Sequence, residues 1–158
     1  MVAFGKKSQV CGVYAGRRLD EVEDHVFRKS SRINSTWGGN LVDMVRSRRF
    51  IEIIKEDGLE ANTIARGEQV LAGLREIARE TGAFENVRGV GSLLAVSFAD
   101  PAARNAMVRS LYEHKVLALP CGTRSMRFRL PLTMTAEEAG ILLERTAAAV
   151  PQAAASAG

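Results

Sequence analysis

The sequence predicts an α/β chain whose larger part is an α+β domain: a small mixed or antiparallel sheet, covered by helices and preceded by a long connecting helix. Two observations predict this fold class. Apolar residues recur at three- and four-residue intervals across residues 41–58 and 59–80, which is the period of amphipathic helices. Short apolar runs bounded by glycine or proline, at residues 87–98 and 126–130, are typical of strands.

The first forty residues have a weaker pattern. Residues 10–14 are short and apolar and predict a strand. Residues 19–26 predict a short helix, because their apolar side chains have helical spacing. Residues 30–40 are rich in Ser, Thr, Asn and Gly, which is the composition of a loop.

Capping residues mark the helix boundaries beyond residue 40. We expect the first long helix to end near Gly58, and Gly82 follows the second. Asp100 and Pro101 are typical of the N-cap and first position of a third helix. Its side chains expected to be buried are Met107, Val108, Leu111 and Tyr112.

The last part of the chain is predicted from the same signals. Residues 116–119 predict a short buried strand that Pro120 stops. Thr135 and Glu138 have the spacing of a capping box and predict a final helix. We expect Pro151 to end that helix and residues 152–158 to form a disordered tail. The side chains expected to face inward are Ile141, Leu142 and Ala148.

Composition limits the classes of function. The chain has 158 residues and a net charge of +4, and its basic residues lack interleaved aromatics, so a nucleic-acid partner is not favoured. No apolar run reaches the roughly 20 residues of a membrane span, and no signal-peptide pattern begins the chain. Cys11 and Cys121 cannot form a metal knuckle, so we expect no metal and a reduced, cytoplasmic setting.

Two adjacent lysines, Lys6 and Lys7, lie in an otherwise uncharged segment with glycine on both sides. Such a lysine can be the nucleophile of a Schiff base once desolvation or a second cation favours the neutral amine. The alternative is an exposed basic pair near a chain end. If the segment is a strand, the two side chains point to opposite faces and only one can reach a cofactor.

Two further segments could bind anions. Residues 34–40 combine hydroxyls, glycines and a following helix N-terminus, which suits a phosphate; the alternative is a helix cap in a flexible loop. On the strand at residues 126–130, alternation places Arg127 and Arg129 on one face, where a guanidinium could hold a carboxylate. The alternative there is a solvated basic edge.

A fourth segment, residues 88–91 (Arg-Gly-Val-Gly), resembles a nucleotide-binding loop only superficially. It precedes a strand, and it lacks the third glycine and the following helix of the dinucleotide fingerprint. We interpret it as a glycine-rich entry to a strand.

Taken in order, these segments resemble the C-terminal part of the class III, fold-type I aminotransferases that use pyridoxal 5′-phosphate (PLP), with the greatest similarity to the L-lysine 6-aminotransferase branch. Residues 3–13 (AFGKKSQVCGV) resemble the cofactor-lysine segment of that branch, and residues 32–40 (RINSTWGGN) resemble its phosphate-contacting loop. Residues 88–91 and 126–129 (MRFR) resemble motifs shared across class III. The resemblance extends to about Pro151.

The resemblance implies a role for particular residues. Lys6 would be the catalytic, cofactor-binding lysine, with Lys7 as the alternative. Thr36 would contact the cofactor phosphate across the interface of a homodimer, with Ser35 and Asn34 beside it. Arg127 would bind the substrate carboxylate, and Asn34 would also contact substrate. The implied substrates are L-lysine and 2-oxoglutarate, with glutamate as a product.

The resemblance also implies a division into domains. Residues 1–40 would be the end of the large cofactor-binding domain, residues 41–58 a connecting helix and residues 59–151 the small domain. The other cofactor-binding elements of this family precede the lysine, so we expect these 158 residues to be inactive alone. The alternatives are a non-catalytic small-domain remnant or interaction module, and another class III activity of the ornithine or 4-aminobutyrate type.

Overall fold

The computed structural model describes residues 1–33, Thr36 and 38–155, and the chain divides into two units, Met1–Asp57 and Gly58–Gly158. We describe each unit by itself. The described part of the first unit contains strands β1 (Val2–Phe4) and β2 (Gly12–Tyr14), 3₁₀ turns at Lys6–Ser8 and Arg17–Glu21, and helix α1 (Leu41–Glu56).

Helix α1 begins and ends where its capping residues predict. The Asn40 side chain accepts a hydrogen bond from the Val42 amide (3.0 Å), which satisfies one of the free N–H groups of the first turn. Asp57 ends the helix, and Gly58 follows with a φ of 62°. The apolar residues that predicted this helix remain largely exposed, among them Leu41, Met44, Val45 and Ile51.

Arginine–glutamate pairs occupy the polar surface of α1. Arg48 and Arg49 both donate to Glu52, at 2.8 and 3.4 Å, and Arg49 also donates to Glu56 at 3.1 Å. The hydrogen bond from Arg48, followed by that from Arg49, holds the pKa of Glu52 below its usual value. All four side chains are solvent-exposed, so these ion pairs add little to the stability of the fold.

The second unit is a four-stranded antiparallel sheet covered on one face by helices. The strands lie in the order β3-β4-β6-β5, and every neighbouring pair is antiparallel. This arrangement confirms the predicted fold class. The elements are α2 (Leu59–Thr81), β3 (Glu85–Val90), β4 (Leu93–Ser97), α3 (Pro101–Glu113), β5 (Leu119–Cys121), β6 (Ser125–Arg129) and α4 (Ala136–Ala155).

Side-chain alternation on β4 and β6 separates a core face from an open face. Leu94 pairs with Phe128 and Val96 pairs with Met126, and all four side chains are buried. They pack in one cluster with side chains from α2 and α3, including Leu74, Met107 and Leu111. The opposite side of the sheet, called the open face below, carries Arg88, Leu93, Ala95, Arg127 and Arg129.

Several predictions of local structure are wrong. Residues 19–26 do not form an α-helix: a 3₁₀ turn ends at Glu21, and Val22 is extended. A strand that we did not predict, β1, pairs with β2 and begins the chain. The fifth strand spans Leu119–Cys121 and contains Pro120, whereas residues 116–119 had been expected to form it. Proline is tolerated there because β5 is an edge strand, where its missing N–H removes no ladder bond.

The end of α4 and three side-chain orientations also differ from the predictions. Helix α4 continues through Pro151 to Ala155, and residues 156–158 of the predicted disordered tail lie outside the described residues. Tyr112, Ile141 and Ala148 are exposed, whereas Met107 and Leu111 are buried as expected. The alanine-rich sequence around Pro151 has high helix propensity, which favours continuation of the helix.

The capping box at the start of α4 generates a stability prediction. The Glu138 amide donates to the Thr135 hydroxyl (3.1 Å), and the Thr135 amide donates to the Glu138 carboxylate (2.8 Å). Replacing Thr135 with Ala should therefore lower the free energy of unfolding by about 1 kcal/mol, because a first-turn amide loses its acceptor. Urea unfolding followed by circular dichroism would measure this, with Thr133→Ala as the matched control. Equal stability of the two variants would contradict the role of the cap.

Candidate active site

The two lysines lie in a tight turn, which corrects the expectation that they occupy a strand. Strand β1 ends at Phe4, and Lys6–Ser8 form a single 3₁₀ turn before β2 begins at Gly12. The Gln9 amide closes this turn by donating to the Lys6 carbonyl oxygen at 3.1 Å. Successive residues of a 3₁₀ turn project about 120° apart, so Lys6 and Lys7 still point in different directions.

Lys6 has an unusual backbone conformation. Its φ is 61°, in the left-handed region that costs a non-glycine residue about 1–2 kcal/mol. Gln9 is also left-handed, at 66°, and its side-chain amide Nε2 lies 3.5 Å from the Lys6 carbonyl oxygen. Residues in such conformations are enriched at functional sites, where the rest of the structure holds them. This feature distinguishes Lys6 from Lys7.

The lysine amines are accessible. Both side chains are exposed, and among the described residues neither amine has a hydrogen bond or a carboxylate partner. Lys29 in the same unit differs, because its Nζ atom lies 2.8 Å from Asp24. The amines of Lys6 and Lys7 are therefore sterically accessible to a carbonyl compound, and their exposure means that this structure does not itself provide the desolvation that favours a neutral amine.

Gln9 links the lysine turn to helix α1. Its Oε1 atom accepts a hydrogen bond from Arg46 at 3.4 Å, and Arg46 also lies 3.3 Å from Asp43 in the first turn of the helix. Gln9 thus has contacts both with the Lys6 backbone and with α1. Sequence reasoning missed this contact, because residues 37 positions apart give no local signal of pairing.

Part of the predicted phosphate-contacting loop can be located. Thr36 is exposed, so its hydroxyl is accessible to a ligand. Asn34 and Ser35, predicted beside it, lie outside the described residues. Helix α1 begins shortly after the loop, with Asn40 as its N-cap.

Arg127 lies in the second unit, on the open face. Strand β6 buries Met126 and Phe128 and exposes Arg127 and Arg129, as the alternation predicted. In the sheet, Arg127 lies opposite Ala95 on one side and Leu119 on the other. Its guanidinium has no carboxylate partner among the described residues, which leaves it able to bind a carboxylate from solution.

These side chains suit a cofactor that has a carbonyl group and a phosphate. An exposed primary amine at Lys6 can form a covalent bond to an aldehyde, and the Thr36 hydroxyl can donate to a phosphate oxygen. Metal ligation has no comparable support: in the described part of the chain, no group of three His, Cys, Asp or Glu side chains could hold an ion. The helices described there include none long and apolar enough to cross a membrane.

Known proteins provide an independent comparison. Residues 2–150 match the family described as aminotransferase class-III. The L-lysine-epsilon aminotransferase of Amycolatopsis lactamdurans is 50% identical over 152 residues, which is 95% of this chain and 34% of that relative. The chain therefore spans about a third of the length of the curated relatives that it matches.

Solved structures similar to this chain in the comparison are also aminotransferases. A lysine aminotransferase from Mycobacterium tuberculosis, in its internal aldimine form, is 45% identical with a TM-score of 0.87, covering 96% of this chain and 35% of the other. An ornithine aminotransferase from Toxoplasma gondii is 28% identical with a TM-score of 0.71, covering 77% of this chain and 29% of the other. The family match covers nearly the whole chain, and the chain belongs to the class-III aminotransferases.

Proposed function

We propose that this chain carries the cofactor-binding lysine and the substrate-carboxylate arginine of an L-lysine ε-aminotransferase, which transfers the ε-amino group of L-lysine to 2-oxoglutarate. The observation that carries this proposal is the exposed Lys6 amine, in a left-handed turn within a chain 45–50% identical to lysine aminotransferases. The lower identity to the ornithine enzyme, 28%, favours lysine as amino donor over ornithine.

In this proposal Lys6 has two tasks. Its amine would hold PLP covalently, and the same amine would move a proton to and from the reacting carbon of the substrate. PLP itself supplies the electron sink that stabilises negative charge on that carbon.

The remaining residues of the proposed site bind and orient the cofactor and the substrate. Thr36 holds the cofactor phosphate, with Asn34 and Ser35 beside it, and this contact is made across the interface of a homodimer. Arg127 holds the substrate carboxylate through the paired N–H groups of its guanidinium, with Asn34 also contacting substrate. We assign residues 1–40 to the end of a large domain, 41–58 to a connecting helix and 59–151 to a small domain.

The first prediction is that the 158-residue chain does not catalyse transamination by itself. The described residues offer an amine, a hydroxyl and a guanidinium, whereas PLP chemistry also needs a group that holds and protonates the pyridine ring. Purified chain incubated with PLP, L-lysine and 2-oxoglutarate should form no glutamate above a protein-free control. The lysine aminotransferase from Mycobacterium tuberculosis is the positive control. Saturable turnover by the 158 residues would contradict this prediction.

The second prediction is that Lys6, and not Lys7, bonds to the cofactor. Residues 1–40 would replace the matching segment of the Mycobacterium tuberculosis enzyme, and borohydride would then reduce the lysine–cofactor bond. Mass spectrometry should find the pyridoxyl label on Lys6, since of these two adjacent lysines Lys6 has the left-handed backbone.

Substitutions separate the two lysines further. In that hybrid enzyme, the Lys6→Ala variant should lose the absorbance band of bound cofactor, whereas the Lys7→Ala variant should retain it. Lys29→Ala is the matched control, because that amine already pairs with Asp24. Label on Lys7 alone would overturn the assignment. Label on neither lysine would argue for the alternative of a non-catalytic remnant.

A further inference from the structure

A groove in the second unit lies between the first half of α4, the end of β6 and the segment that joins α3 to β5. Its volume is about 460 Å³, which is within the range of small-molecule binding sites. Lys6, Thr36 and Arg127 are not among the residues that line it. The groove is therefore separate from the residues to which we assign the transfer reaction.

The walls of the groove are largely apolar. Val116, Phe128 and Leu130 belong to the core cluster and form its inner wall. Leu117 and Ile141 also line it, and they remain 78% and 39% exposed. An apolar ligand in the groove would remove part of these two side chains from water, which is favourable.

The turn at the end of α3 places a lysine on the groove at a cost in backbone strain. The Val116 amide donates to the Leu111 carbonyl oxygen at 2.8 Å, and the Lys115 amide donates to the Tyr112 carbonyl oxygen at 3.0 Å. These two bonds define a Schellman motif, in which Lys115 occupies the position that usually holds glycine. The φ of Lys115 is 63°, a left-handed value that glycine adopts without strain. Strained residues of this kind are enriched at binding sites.

Basic side chains outnumber acidic ones along the groove. Lys115, Arg129 and Arg145 line it together with Glu138. The Nη1 atom of Arg145 lies 3.4 Å from the Lys115 carbonyl oxygen, so this guanidinium reaches from α4 to the strained turn. Glu138 lies seven residues earlier on α4, about 10 Å along the helix, and its carboxylate accepts from the Thr135 amide. The ion pairs of the described residues include none of the three basic side chains.

We propose that this groove binds a free medium-chain carboxylate, a linear fatty acid of about eight carbons. Its carboxylate pairs with the Lys115 ammonium and the Arg145 guanidinium at one end of the groove. Its alkyl chain lies against the apolar walls and extends toward the other end, where Glu138 would repel a carboxylate. The charge of the groove favours an anion, and its walls favour one with an apolar tail.

Titration of the whole 158-residue chain with octanoate tests this site without catalysis. The methyl NMR signals of Leu117, Met134 and Ile141 report binding, at octanoate concentrations below those that form micelles. Octanol lacks the charge, and we expect it to bind about five-fold more weakly, the loss of partly exposed ion pairs. Butyrate has four fewer methylenes, and we expect it to bind about ten-fold more weakly. Octanoate binding no tighter than either probe would overturn the proposal.

Variants assign the charge preference to particular residues. Arg145→Gln should weaken octanoate binding about three-fold and leave octanol binding nearly unchanged. Arg145→Lys keeps the charge and should retain most of the binding, and it serves if Arg145→Gln fails to fold. Arg75→Gln removes an exposed arginine on α2 as the charge-matched control and should behave as the parent chain. If Arg145→Gln and Arg75→Gln bind octanoate equally, the carboxylate end of the site is wrong.

The Lys115→Gly variant separates a binding role from a structural one. It should raise the urea midpoint of unfolding, because glycine adopts the left-handed turn without strain. It should also weaken octanoate binding about three-fold, because the ammonium is lost. A side chain with a purely structural role would not combine a gain in stability with a loss of binding. Octanoate binding equal to that of Arg75→Gln would contradict the assignment of Lys115.

Two further outcomes would identify a different occupant. Octanoate shifts that are equally large at Val108, which lines a separate groove beside α3, would mean unspecific binding to apolar surface and would overturn the proposal. Signals of Leu117 and Ile141 that shift with protein concentration alone would mean that a second copy of the chain covers the groove, which would also overturn it.

Discussion

The antiparallel pairing of β4 with β6 is the constraint on which the rest of the second unit depends. Its register places Leu94 opposite Phe128 and Val96 opposite Met126. These four side chains form the core face of the sheet, against which the helices pack. The same register leaves Ala95 opposite Arg127 on the open face. A slip of one residue would exchange the two faces, burying the arginine and exposing the core. Stability and the proposed carboxylate site therefore depend on one pairing.

The sequence predicted the elements whose signals are local. The Thr135–Glu138 capping box and the Asp100 N-cap each lie within one helical turn, and both form the predicted hydrogen bonds. The alternation of Met126 and Phe128 with two arginines was equally readable, since it depends only on the period of a strand. Local chemistry of this kind needs no knowledge of distant residues.

Predictions failed where position in the fold overrides local preference. Pro120 is typical of the end of a strand. It lies within β5 because β5 is the edge strand, where a missing N–H costs no hydrogen bond to a neighbouring strand. Pro151 predicts the end of a helix, but the alanine-rich helix α4 continues beyond it to Ala155. Tyr112 has the helical spacing of a core residue but is exposed. The helical period shows which side of a helix is apolar, but it does not show how far the buried stripe extends around the helix.

The candidate site shows the same limit. The roles of Lys6, Thr36 and Arg127 came from a resemblance to known motifs, and they remain proposals to be tested. The contacts that connect such residues to their surroundings could not be predicted: Gln9 to Arg46, and Arg88 to Ser97 and Ser125, join segments far apart in the chain. The glycine-rich motif at residues 88–91, interpreted from the sequence as the entry to a strand, forms the end of β3 and the start of the turn that leads into β4.

The environment of the Ala95 methyl group tests the central pairing most directly. The register places this methyl between Arg88 and Arg127, so nuclear Overhauser effects to side-chain protons of both arginines are expected in the 158-residue chain. Effects from the same methyl to core side chains such as Leu74 or Met107 would mean that β4 is turned over. That result would contradict both the division of the sheet into two faces and the site proposed on one of them.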